Sequence, residues 1–243
     1  MLPPFPPEIF DLIVDHLHGE PITLGACCLV SKSWVPRARR YIFAQVMFNS
    51  LRSSIQTWME HFPDPSNSPA HHTRALLFVD PDSIVAAFTV APTWLHYFCH
   101  VKELRMANIL PDNSIPVSFV QLHGFSPTLK LLHLFYVSVP LPEILDLICS
   151  FPLLEDLCLQ LVTTRGDTGG RDTPSTSPRL TGCLTVVDLP PPVMRGLLDL
   201  PNGLHFAQIT ASCHVANTGS VADLISRCSD TLESLTIAFS SPC

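Results

Sequence analysis

The residue types that could carry chemistry are present in this chain, but their spacing assembles little. His71 and His72 form an adjacent, proline-flanked pair with no acidic or cysteine partner at metal-ligand spacing. The stretch GDTGG at 166–170 has glycines but no Lys-Ser/Thr behind them to cradle a phosphate. There is no G-x-S-x-G elbow and no H-E-x-x-H pair. The nine cysteines are scattered, mostly in apolar context, with no C-x-x-C. A Cys–His nucleophile would meet only in space, so spacing neither supports nor opposes one. The expectation is a protein that is not an enzyme and takes no cofactor or metal.

Composition narrows the remaining classes. Charged residues make up 14% of the 243, against about 25% in ordinary domains, so much of the chain must be buried or stacked. Net charge is −7 with 14 Lys and Arg, and no basic run suited to many phosphates stands out. Nucleic acid is therefore not expected as a partner. The run 83–101 is uncharged, but it holds Pro92, His96 and His100 and reads as a buried helix with its loop rather than a membrane span. Free thiols, no N-x-[ST] sequon and no recognisable signal peptide point to an intracellular chain, in the cytoplasm or nucleus.

Function must then lie in what the elements present. Pro7 suits the first turn of a helix, and Glu8 and Asp11 suit its positive end. At ~100° per residue, Ile9, Phe10, Leu12, Ile13, Val14 and Leu17 spread over about 200° of the wheel. A surface helix shows an apolar stripe a little over ~100° wide, so this helix has enough apolar surface for two contact faces. ITLGACCLVSKSW reads as a second short helix, and Pro36 permits a third in VPRARRYIF. Arg37, Arg39 and Arg40 read as a solvated helix face rather than a localisation signal.

This series resembles the F-box motif, especially as found in fungal proteins, over roughly residues 3–45. The matches are Pro6, Glu8, Ile9, Ile13 and Leu17, then Leu24, Cys28, Leu29, Val30, Ser31, Lys32 and Trp34, then Ala38, Arg40 and Phe43. Phe5 stands where that family most often has leucine. The resemblance implies docking on the Skp-family adaptor of cullin–RING ubiquitin ligases. It places Phe5, Pro6, Ile9, Leu29, Val30, Lys32 and Trp34 at or beside the interface. Ile13, Leu17 and Cys28 are expected in the core of the helical unit.

Further on the chain repeats itself: VKELRMANI (101–109), LKLLHLFYV (129–137), LEDLCLQLV (154–162) and LESLTIAF (232–239), with weaker copies at 73–79, 181–189 and 204–212. The fourth positions are Leu76, Leu104, Leu132, Leu157, Leu184, Ala207 and Leu235, at steps of 23–28 residues. A leucine-rich repeat has a period of 20–29 residues. L-x-x-L-x-L puts the fourth and sixth residues on one side of a strand. PEILDLICSF, PPVMRGLLDL and SVADLISRC between them can lie as helices across that side. Stacked units bury what one unit cannot. The chain thus resembles an F-box protein with a leucine-rich-repeat domain, although Ile109, Val137 and Val162 stand where the regular repeat has Asn or Cys.

The expected architecture is α/β: a short three-helix F-box over 1–48, a linker or connecting helix over 49–72, and an irregular solenoid of parallel strands alternating with helices over 73–243. The solenoid is expected to have about seven strands. Its exposed sheet face is expected to carry Glu103, Arg105, Leu131, His133, Phe135, Asp156, Cys158, Gln160, Phe206, Gln208 and Thr210 as a surface for a target protein. Residues 163–179 read as an inserted loop, and the last strand either as an open edge or as the sign of a shortened member or a fragment. The expected role is a substrate receptor that joins an adaptor, and through it a cullin, to an unknown target. The alternative is a scaffold without ubiquitin transfer.

Overall fold

The computed structural model describes residues 6–51, 53–89, 93–110, 119–125, 127–164, 178–214 and 218–240. Three helices come first: α1 (Pro7–His16), α2 (Pro21–Val30) and α3 (Val35–Ile42). Each carries proline in its first two positions, where the missing N–H costs nothing. They close on a core of their own, in which Val14, Leu24 and Ala38 are buried and Leu17, Cys28, Trp34, Tyr41 and Ile42 pack around them.

An ion cluster fastens α1 to α3. Arg37 donates through Nε to Asp15 Oδ1 at 2.7 Å, through Nη2 to Asp15 Oδ2, and through Nη1 to Asp11 Oδ2 at 3.0 Å. Tyr41 Oη donates to Asp15 Oδ1 at 2.7 Å. Arg37 is therefore a fastener and not part of a solvated face, which corrects the sequence reading. The bonds from Arg37 and Tyr41 hold the Asp15 carboxyl down at about 2, and the bond to Asp15 pushes the Tyr41 phenol up. Both signs can be checked. Asp15 contributes stability above its ordinary 3.8 that is lost as pH falls toward about 2. Tyr41 contributes stability below its ordinary 10.0 that is lost as pH rises through its raised value. Arg37→Ala should flatten the acid limb and speed amide exchange in α1, measured by hydrogen exchange at several pH values.

The rest is one sheet alternating with helices: β1 (Gln45–Phe48), α4 (Ile55–His61), β2 (Ala75–Phe78), α5 (Pro81–Thr89), β3 (Glu103–Ile109), β4 (Leu131–Val139), α6 (Leu141–Cys149), β5 (Asp156–Gln160), β6 (Thr163–Thr164), β7 (Cys183–Val187), α7 (Pro191–Leu198), β8 (Gln208–His214), α8 (Thr218–Cys228) and β9 (Ser234–Ser240). All nine strands described pair in parallel, in the order β1-β2-β3-β4-β5-β7-β8-β9, with β6 beside β4. Crossovers of one hand that never reverse direction keep every helix on the same face. Accordingly α4 to α8 and the inward residues of the strands share one core, from Val46 to Cys228. The opposite face carries no helix among the described residues. No helix among them is long and apolar enough to cross a membrane. The uncharged run 83–101 supplies Ile84, Ala87, Trp94, Leu95, Phe98 and Val101 to the core.

The register and the packing bear on the expected layout at several points. The sheet begins at β1, inside the 1–48 segment read as helical, and among the described residues eight strands, counting the two-residue β6, lie within 73–243, where about seven are expected. The segment 49–72 contains α4, and its Ile55 and Ala70 are fully buried in the main core. Leu184 pairs with Ile209 and Ile209 with Leu235, so the fourth position of the sixth sequence copy is Ile209, not Ala207. Within the expected loop at 163–179, Thr163 and Thr164 form the two-residue strand β6, and Pro178 and Arg179 lie in no helix or strand. Residues 165–177, with the Arg165–Gly166–Asp167 tripeptide and the Thr173–Pro174 site, lie outside the described residues.

A backbone feature recurs with the repeat. Asn108, Tyr136, Leu161 and Asp188 are all left-handed, with φ of 56, 52, 53 and 50°. Each follows its strand's fourth-position leucine by four residues. The conformation costs a non-glycine residue roughly 1–2 kcal/mol, and Asn and Asp tolerate it best. It inverts the in–out alternation, so that Ile109, Val137 and Val162 turn into the core and are fully buried. This explains why aliphatic residues replace Asn or Cys at the ninth position. The turn's backbone is satisfied by neighbouring turns: Leu161 N–H donates to Val187 O and Asp188 N–H to Ser212 O, each at 2.9 Å.

Candidate protein-interaction surfaces

Two surfaces carry apolar groups that the chain's own packing leaves open. On the helical unit, Ile9, Leu12 and Ile13 of α1 are 41, 62 and 44% exposed, and Ile22, Leu29 and Val30 of α2 are 88, 89 and 73% exposed. These residues are not needed for the small core, which is complete without them. Pro6 and Lys32 are exposed beside them. Trp34 is half-buried, its ring 5.2 Å from that of Phe10, so it supports the surface from beneath. Ile13, expected in the core, lies at the surface instead, because α1 turns Val14 inward. Phe5 lies outside the described residues.

The second surface is the open sheet face. The register lines up Met47, Leu77, Arg105, His133, Cys158, Thr185, Thr210 and Thr236 in one row across the strands. A second row runs through Glu103, Leu131 and Asp156, and a third through Phe135 and Gln160. Arg105 and Glu103 form an ion pair on this face. Burial lowers the His133 pKa and Arg105 adds to the effect, against an opposing pull from Glu103. Burial also pushes the Cys158 thiol up, away from nucleophilic reactivity. Gln208 is exposed, and Glu103, His133, Phe135 and Gln160 are half-buried.

Phe206 does not belong to this surface. It precedes β8 and is fully buried, because the two-residue shift to Ile209 places Leu204 and Phe206 in the core-filling turn before the strand. Asp156 serves the fold as well as the face, since its Oδ1 accepts the Cys183 N–H at 2.6 Å. A Cβ on Gly182 would stand 2.1 Å from that same carboxylate oxygen and 3.0 Å from Glu155 O. Gly182→Ala should therefore break the Asp156–Cys183 bond and cost about 1–3 kcal/mol, read as a lowered Tm. Sequence reasoning missed Tyr136, which is 44% exposed and lies edge-on to Phe135 at 4.6 Å. Strict alternation turns it inward; only the left-handed backbone turns it out.

No reactive constellation accompanies these surfaces among the described residues. A cavity of about 450 Å³ is lined by His71, His96, Tyr97 and Cys99. Among the described residues, no three His, Cys, Asp or Glu side chains converge on a possible metal position. In comparisons with protein-family models and with curated proteins, none matches the chain.

Proposed function

We propose that this chain is a substrate-receptor subunit of a Skp-adaptor, cullin and F-box ubiquitin ligase. The three N-terminal helices dock the adaptor, and the open face of a leucine-rich-repeat-like solenoid holds a target protein. The observation that carries the reading is the exposure of Ile9, Leu29 and Val30 on a unit with its own core. These are positions where the F-box resemblance puts adaptor contacts. The uncovered sheet face supports the second half, because parallel sheets are otherwise covered on both sides. Its mixture of Phe135, Tyr136, Leu77 and Met47 with polar groups suits protein recognition.

The chain's contribution is proximity. Holding a target beside the transferring subunits raises its effective concentration without chemistry in this protein. Co-expression with a Skp-family adaptor and a cullin tests the reading: all three should co-purify. Recovery with the adaptor but without the cullin favours a scaffold that uses the same surfaces without ubiquitin transfer. Recovery of neither overturns the proposal.

A further inference from the structure

The fold builds a cationic rim from residues that the sequence scatters. Arg74, Lys102 and Lys130 each stand two residues before a fourth-position leucine, at the N-terminal ends of β2, β3 and β4. They occupy consecutive rungs: Lys102 N–H donates to Arg74 O at 2.7 Å, and Lys130 N–H to Lys102 O at 2.8 Å. Adjacent strands lie about 4.8 Å apart, so the three cations start from backbone spanning about 10 Å. The helix α3, which carries Arg39 and Arg40, adjoins them: Arg74 N–H donates to the O of Ala44, just past the end of α3, at 2.8 Å, and α3 packs against the turn at Pro69–His72.

Five of the chain's 14 Lys and Arg residues thus gather at one rim of a protein whose net charge is −7. Of these five, Lys130 alone has an acidic partner among the described residues, Glu155 at 2.6 Å. Arg39, Arg40, Arg74 and Lys102 form no ion pair among the described residues. Arg39 instead lies over the Phe43 ring, 5.9 Å from its centroid. Arg40, Arg74 and Lys102 are exposed. The nearby Asp15 carboxylate is occupied by Arg37 and Tyr41.

We propose that this rim, formed by Arg39, Arg40, Arg74 and Lys102, binds a short acidic segment of a partner polypeptide. Charge complementarity selects the class of occupant. The rim's extent selects its length: the next rung after Lys130 is Glu155, and Glu233 lies further along the same edge. A few consecutive carboxylates fit between α3 and Glu155. A nucleic-acid backbone, with charge that continues, would run onto the acidic rungs of a net-negative protein. The rim lies at the strand ends and not on the open sheet face, so acidic-peptide binding there is independent of the receptor reading.

The test is the fluorescence anisotropy of a labelled peptide of four glutamates flanked by Gly-Ser residues, titrated with the full chain. Binding is expected at low salt and should weaken steeply between about 0.05 and 0.3 M salt. Arg74→Glu/Lys102→Glu should weaken it by at least about tenfold, and Arg74→Gln/Lys102→Gln by roughly threefold. Arg227→Glu, on an exposed position of α8, should leave it unchanged. Circular dichroism confirms that each variant is folded; if the glutamate pair unfolds, the glutamine pair decides. Three results overturn the proposal: no binding at low salt, equal binding by wild type and rim variants, or single-stranded oligothymidylate binding at least as tightly as the peptide.

Discussion

Replacing Ile9 and Val30 together by aspartate should abolish adaptor binding, by at least about a thousandfold in Kd, while the sheet domain melts as in wild type. Each aliphatic side chain covered by a partner contributes roughly 1.5–3 kcal/mol. Each aspartate adds the cost of desolvating an unpaired carboxylate. Together they exceed about 4 kcal/mol, which is a thousandfold. The helical unit should survive, because neither residue belongs to its core of Val14, Leu24 and Ala38. Position 9 lies in the first turn of α1, where a negative charge is welcome. Position 30 ends α2, where aspartate costs about 0.3–1 kcal/mol against the helix dipole. A Val30→Ser variant avoids that cost and should still weaken binding. Isothermal titration with the purified adaptor reads the affinity, and thermal melting reads the fold. Wild-type affinity in the folded double variant would show that the exposed faces of α1 and α2 serve something else.

The second large effect separates two leucines that are equivalent in sequence. Leu132 and Leu235 both occupy the fourth position of a repeat. Leu132 is fully buried in β4, with β3 and β5 on either side. Leu235 in β9 is 42% exposed and has a neighbouring strand only in β8 among the described residues. Leu132→Ala should cost about 2–5 kcal/mol, because its neighbours cannot collapse into the space. That corresponds to a Tm lower by roughly 5–15 °C for a chain of this size. Leu235→Ala should cost under about 1.5 kcal/mol, since little apolar surface leaves water there. Phe206→Ala belongs with Leu132, at about 3–5 kcal/mol. Differential scanning calorimetry of the three variants checks the order. Equal losses at Leu132 and Leu235 would mean that the sheet does not end in the register described.

What was legible in the sequence is what repeats with one period. The leucines at 76, 104, 132, 157 and 184 pair in register as their spacing implies. Helix starts marked by proline were equally plain. Five kinds of information were not. The strand β1 is four residues long and lacks the L-x-x-L frame, so nothing separates it from the end of α3 until β2 pairs with it. Leu204 and Phe206 mimic the repeat two residues early, because a core-filling turn and a strand can be equally apolar. The left-handed residues break alternation at a point where no residue type announces it: Leu161 and Tyr136 adopt it as readily here as Asn108 and Asp188. The apolar surface of α1 was visible as excess on a helical wheel, yet which residues remained outside was not, as Ile13 shows. The rim cations were invisible as a group, because only the strand ladder brings residues 74, 102 and 130 side by side.

The most direct measurement is hydrogen–deuterium exchange of the intact chain with and without a saturating Skp-family adaptor. Slowed exchange confined to α1, α2 and the turn through Trp34, with β3 to β8 unchanged, is the expected pattern. Protection centred on the open sheet face, or none anywhere at adaptor saturation, would contradict the assignment of the N-terminal helices as the docking module.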